Sequence, residues 1–200
     1  MFKSGSNIKK ALLLLLVCSL SVVSRGQAVK PDSTAVARVE KSIFSIQAGT
    51  IGFWINNEVR LSHSLALRTE IGYAAQLLWG AGQEEGFLMT PVFTIEPRWY
   101  YNLQKRKSKS KRIDSNSGNY LSLSSGFYPV WAVFSTFGHP VINPVLTIIP
   151  MWGMRRKLGR HFNYEVGAGF GYVHYFADKY GYGAHDNLAL NLLFRIGYRF

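Results

Sequence analysis

Two sets of side chains in this sequence have the types and spacing that chemistry needs. The first is ionic: Glu58, Arg60, Arg68, Glu70, Glu96, Arg98, Arg155, Glu165 and Arg195 are four carboxylates and five guanidiniums, with no lysine among them. Guanidinium and carboxylate form bidentate, charge-assisted bonds, the pairing best suited to a desolvated site. Such a set can act as a carboxylate acid/base pair, as the lining of a gated polar pore, or as a structural plug. The second set is His139, His174 and His185, with Ser135, Asp178 and Asp186 in the same stretch of chain. A serine nucleophile requires a base within hydrogen-bond reach and a third group to orient it, and these are the residue types that would supply them. His63 and His161 bring the histidines to five. No two stand at i, i+2 or i, i+4, so neither a metal site nor any cofactor is expected.

The elements that would position these residues begin after an N-terminal leader. Lys3, Lys9 and Lys10 precede an apolar run from Ala11 to Val17, patchy to Val23, followed by small and polar residues ending at Gln27 and Ala28. That is the three-part plan of a secretory signal peptide. The stretch Ala11 to Val23 is 13 residues, short of the roughly 18 to 20 a membrane-spanning helix needs. The expected division is a signal peptide at 1–28, an N-terminal segment at 29–41 that could enter the first strand, and a β-domain at 42–200. The only cysteine, Cys18, lies in the leader, leaving the mature chain without thiol, disulfide or Cys-based metal site. Acylation of Cys18 is disfavoured by Val17 before it, where lipoprotein processing wants a small residue.

The net charge of +12 raises the question of nucleic acid. Without the four basic residues of the leader the balance is 19 basic to 11 acidic, and six of the 19 lie in one segment: Lys105, Arg106, Lys107, Lys109, Lys111 and Arg112. A secreted chain with its surplus in one loop is not expected to bind nucleic acid.

The mature chain repeats segments of ten to seventeen residues, rich in Val, Ile, Phe, Tyr and Trp, that alternate in polarity between short Gly/Asn/Asp/Ser breaks. From Leu65 the odd positions read Leu65, Leu67, Thr69, Ile71, Tyr73, Ala75, Leu77 and Trp79, while the even ones carry Arg68, Glu70 and Gln76. From Leu88 the odd set includes Phe93, Ile95, Trp99, Tyr101 and Leu103, and the even set Thr94, Glu96 and Arg98. Strands of soluble sandwiches average five or six residues. A tilted strand of about 9 to 11 crosses a bilayer, its apolar face toward lipid and its polar face toward the lumen. Backbone groups in lipid must be paired, so such strands close into a barrel. The ionic set then points inward, and Gly167, Gly169 and Gly171 leave room for large neighbours such as arginine.

The end of the chain alternates Leu192, Phe194, Ile196, Tyr198 and Phe200 with Leu193, Arg195, Gly197 and Arg199. This resembles the C-terminal assembly signal of bacterial outer-membrane barrels, carried here by Phe194, Ile196, Tyr198 and Phe200. Working back from a periplasmic end places strands near 188–200, 162–176, 145–158, 119–135, 88–103 and 65–80. Residues 36–61 should supply two more, because bacterial single-chain barrels have even strand numbers. The apolar set there switches parity from Phe44, Ile46 and Ala48 to Ile51, Phe53, Ile55, Val59 and Leu61, which takes either a short turn between two strands or a bulge in one long strand that would make seven. The expected fold is all-β, an eight-stranded antiparallel transmembrane barrel with meander order, similar as architecture to the small OmpA/OmpX-like outer-membrane barrels.

What that resemblance implies is a monomeric envelope protein in the bacterial outer membrane, with the lipids and lipopolysaccharide of that membrane and its assembly machinery as partners. The expected role is non-enzymatic, structural or surface-interacting. Two alternatives stand beside it: a lipid A-modifying enzyme using His139, His174, His185 and Ser135 at the outer rim, as small barrels of acyl-transfer and deacylase families do, and a narrow solute channel. The same parity puts the basic loop, Lys105 to Arg112, in the periplasm, where it reads as a contact for an anionic partner or as a solvated, disordered insertion.

Overall fold

The computed structural model describes residues 36–49, 52–78, 86–131, 133–136, 142–177 and 183–200. The signal peptide expected at 1–28 lies outside the described residues. The strands are β1 (Ser42–Gly49), β2 (Gly52–Arg60), β3 (Leu65–Leu78), β4 (Gly86–Trp99), β5 (Asn119–Tyr128), β6 (Phe134–Ser135), β7 (Val145–Leu158), β8 (Phe162–Tyr175) and β9 (His185–Arg199). Helix α1 (Leu103–Ser108) and a 3-10 turn (Asp114–Asn116) lie between β4 and β5.

Apart from the short β6, each strand pairs antiparallel with the next along the chain, β5 with β7, and β9 pairs back onto β1, with Ser45 opposite Arg199 and Gly49 opposite Arg195. β5 and β6 share one line beside β4: Leu121 to Phe127 of β5 flank Phe93 to Trp99, and β6 flanks Leu88 and Met89. The result is a closed antiparallel barrel of eight strand lines in meander order. The parity switch in 36–61 is a turn between two strands: Phe44 and Ile46 point outward from β1, and Phe53, Ile55 and Val59 from β2.

Several boundaries differ from the sequence reading. The strand expected to run unbroken from Asn119 to Ser135 stops at Tyr128, where Pro129 has no N–H to donate. β4 ends at Trp99 rather than Leu103; Leu103 opens α1 and is buried. β9 begins three residues earlier than expected, at His185. The room left by Gly169 and Gly171 is taken by Met151 and Ile149 and by backbone, not by arginine: a Cβ on Gly169 would lie 2.5 Å from Met151 Cγ.

The largest departure is the basic loop. Residues 100–118 form an ordered cap over the end of the barrel that carries the short turns at 61–64 and 159–161. Tyr100, Leu103 and Tyr120 pack with Ala37, Val39 and Ala66, and Ile113 packs against them. Ser115, Asn116 and Ser117 are buried. The incoming segment is tied across this mouth, with Ala37 N–H donating to Gln104 Oε1 and Glu40 N–H to Asn116 Oδ1. The segment is therefore not a disordered insertion, because its flanks bury apolar side chains and satisfy their polar groups within the fold, although Lys105, Lys109 and Lys111 stay solvated.

The polarity of the wall is inverted relative to a soluble domain. Along β4, Phe93 and Ile95 are 37% and 56% exposed while Glu96 is 4% and Arg98 0%. β3, β4, β7 and β8 have 14 residues each, about 46 Å of chain at an ordinary rise. Tyr120 fills the space beside Gly153, whose added Cβ would sit 2.3 Å from the ring Cζ. Gly153→Val is expected to lower stability by about 1–3 kcal/mol through overpacking, read as a shifted urea midpoint with the barrel retained.

Candidate functional site

The candidate site is a slice of charge across the barrel interior near the capped end. Strand register builds it from two rows. Glu58 of β2 is opposite Arg68 of β3, which is opposite Glu96 of β4. On the far wall Arg155 of β7 is opposite Glu165 of β8, which is opposite Arg195 of β9. An acid-base-acid row therefore faces a base-acid-base row.

The rows interlock across the lumen. Glu165 accepts from Arg155 Nε at 2.6 Å, Arg68 Nη1 at 3.1 Å, Arg98 Nη1 at 3.2 Å and Gln47 Nε2 at 2.9 Å. Glu58 pairs with Arg155 Nη2 at 2.9 Å and accepts from Tyr100 Oη at 2.9 Å and Asn116 Nδ2 at 2.5 Å. Glu70 binds Arg68 and Arg195, each at 2.9 Å. Glu96 takes Arg98 Nη2 at 2.7 Å and Ser122 Oγ at 2.6 Å. Arg98 lies over the Tyr120 ring at 4.3 Å, and Arg195 over Trp54 at 3.7 Å.

Eight of the nine expected residues thus meet in one network, four guanidiniums balancing four carboxylates. Arg60 is the exception: its Nε donates to the carbonyl of Val39 at 2.6 Å and ties the cap to β2. The acid/base alternative loses its geometry, because each carboxylate is held by at least two donors: Glu58, Glu96 and Glu165 are buried within the slice, and Glu70, which borders open space, is held by both Arg68 and Arg195. Toward the other end the lumen widens into a cavity of about 70 Å³ bounded by Glu70, Arg195, Thr94, Tyr128 and Thr147.

Among the described residues, the rim set does not form one site. His174 is opposite Asp186, its Nδ1 2.6 Å from Asp186 Oδ1, and Tyr172 Oη donates to the same oxygen at 2.5 Å. His185 is opposite Tyr175 and stacks on it at 4.6 Å. His174 and Tyr175 are consecutive in a strand, so the two histidines project to opposite faces of the wall. Ser135 lies in β6 beside Leu88, two strand lines from β8. His139 and Asp178 lie outside the described residues. Phe194, Ile196, Tyr198 and Phe200 all face outward, and Phe200 packs on Phe44 and Tyr198 at 5.6 and 5.2 Å.

In the cap, Lys105, Lys109 and Lys111 are exposed. Arg106 donates to the Arg112 carbonyl through Nε and Nη2 at 3.2 and 2.9 Å. Arg112 and Lys157 hold Asp114 at 3.0 and 2.7 Å. Lys107 sits between them on α1. Sequence reasoning missed Gln47, Tyr100, Ser122 and Asn116. The first three lie on inward parity and were legible; Asn116 is outside any alternation.

The chain matches no family model, no curated protein and no solved structure.

Glu165→Gln should lower stability by about 3–5 kcal/mol, the usual penalty for removing one partner of a buried ion pair. Replacing Glu165 and Arg155 together should be less damaging than the sum of the two single changes in a double-mutant cycle. Partial burial opposes ionisation of Asp114, yet the bonds from Arg112 and Lys157 hold its carboxyl below the usual carboxylate range. Its contribution is therefore complete above the ordinary carboxylate pKa of about 4 and lost as pH falls through the lowered value. Amide exchange in Leu103 to Gly118 should accelerate relative to the strands only in that acid window, and Asp114→Asn should abolish the transition.

Proposed function

We propose that this chain is a bacterial outer-membrane β-barrel with a sealed lumen and a non-enzymatic role, structural or as a contact surface, in the cell envelope. One observation carries the reading: a closed barrel wears its apolar side chains outside and encloses its charges. In water that arrangement would forfeit the main driving force of folding, since Ile95, Leu190 and Leu192 are 56%, 67% and 64% exposed. In hydrocarbon it is the arrangement the solvent demands, with the strand ladder closed on itself where β9 meets β1. Strands of about 46 Å tilted near 45° rise about 33 Å, close to the thickness of the hydrocarbon core. The aromatic side chains Trp99, Tyr101, Trp152, Phe162 and Tyr198 face outward at the capped end, where an interfacial girdle would lie.

The narrow-channel alternative is opposed by the packed ionic slice and the cap behind it. The enzymatic alternative is opposed by the divided rim. Expressed with its leader in a bacterium with two membranes, the chain should partition with the outer membrane and require detergent for extraction. It should also migrate differently on gels before and after heating. Recovery as a detergent-free monomer from the periplasm would refute the reading.

A further inference from the structure

The outer wall at the capped end carries two guanidiniums that share a neighbourhood with no acid in it. Arg156 of β7 is directly opposite Tyr164 of β8 on the outward face. Arg106 stands beside it on α1: its backbone N–H donates to the Asn102 carbonyl, the Asn102 side chain accepts from Asn119 N–H at 2.8 Å, and Asn119 Oδ1 accepts from Arg156, with both guanidiniums in the electrostatic neighbourhood of Tyr164. Arg156 spends Nη1 on the carbonyls of Gly118 and Arg155, at 2.8 and 2.7 Å, and Nη2 on Asn119 Oδ1 at 2.6 Å. Arg106 spends only its Nε/Nη2 edge, so its two Nη1 protons and the Nε proton of Arg156 remain. Among the described residues neither guanidinium is paired with a carboxylate, whereas Arg68, Arg98, Arg155 and Arg195 of the lumen all are. The spot lies beside Tyr101 and Trp152, whose indole N–H donates to the Tyr101 oxygen at 3.0 Å.

Two like charges brought together at a surface favour an anion between them, and a phosphate accepts bidentately from guanidinium. Resting on the membrane reading above, we propose that Arg106 and Arg156 form a binding site for the phosphate of an anionic phospholipid in the leaflet on the capped side of the barrel. Tyr164, Tyr101 and Trp152 flank the headgroup and the upper acyl chain at the depth where amphipathic aromatics settle. The exposed Lys105, Lys109 and Lys111 add long-range attraction but no geometry.

The test uses the whole protein in detergent, with phosphatidylglycerol retention measured by native mass spectrometry. Arg106→Gln/Arg156→Gln should weaken retention about tenfold or more, as expected for losing charge-assisted bonds. Lys109→Gln/Lys111→Gln removes the same net charge and should leave it nearly unchanged. Arg106→Gln alone disturbs only a bond within the cap and serves if the double variant fails to fold; it should still weaken retention several-fold. Equal losses in the two double variants would mean diffuse attraction and overturn the site, as would no loss in either arginine variant. Phosphatidylcholine held as tightly as phosphatidylglycerol would show that only the apolar belt binds. Displacement of lipid by millimolar inorganic phosphate would mark a free-anion site, and preference for lipid A would put the capped end in the other leaflet; each contradicts the proposal. A chain that needs detergent and shows the heat-dependent gel shift but keeps no lipid sinks this inference alone, while one that stays folded in plain buffer sinks the membrane reading beneath it.

Discussion

Charge enclosed in a narrow tube has to be neutralised in place, and that constraint organises this barrel. Guanidiniums and carboxylates taken out of water lose several kcal/mol each in solvation, and attraction offsets this only where geometry and hydrogen bonding are both good. Here the requirement is met by register. A shift of one residue in any strand would flip its charged member to the outer wall. The two complementary rows therefore specify which residues face which, as well as contributing energy. Glu165, held by Arg155, Arg68, Arg98 and Gln47 from four directions, is the residue through which the rows communicate.

The cap follows from the same constraint. A charge slice open to water at one end would be hydrated rather than paired. Tyr100 and Asn116 close that end by donating to Glu58. Ser115 N–H and Arg199 in turn bind Glu40, joining the cap, the incoming segment and the last strand. An element that looks like an appended basic loop is continuous with the interior. At the opposite end the lumen is lined by small and hydroxylated residues and is roomier, so the molecule is polar along its axis in packing as well as in charge.

The strand lines, their parity and most of the ionic set were legible in the sequence because period-two alternation is forced by the pleat and the charged residues share one parity. The break between β1 and β2 was marked for the same reason, since parity cannot switch along a strand without a turn or a bulge. The cap was not, because Lys105 to Arg112 has the composition of a solvated tail and the few apolar anchors, Leu103 and Ile113, fall outside any period. Arg60 kept inward parity but lies at the last position of β2, where the Val39 carbonyl is nearer than any carboxylate partner. How the histidines sit relative to one another was not legible, because proximity along the chain says nothing of face: pairing His174 with Asp186 and His185 with Tyr175 needed the cross-strand register.

The central claim is that hydrocarbon, not water, surrounds the wall. Single cysteines carrying a nitroxide at Ile71, Phe93 and Ile148, compared with Ser124 and Thr94, would test it directly in lipid vesicles by collision with oxygen and with a water-soluble nickel chelate. The account predicts oxygen-rich, nickel-poor collisions at the first three sites and low rates for both at the two inward ones. Strong nickel collisions at Ile71, Phe93 and Ile148 would place that face in water and contradict it.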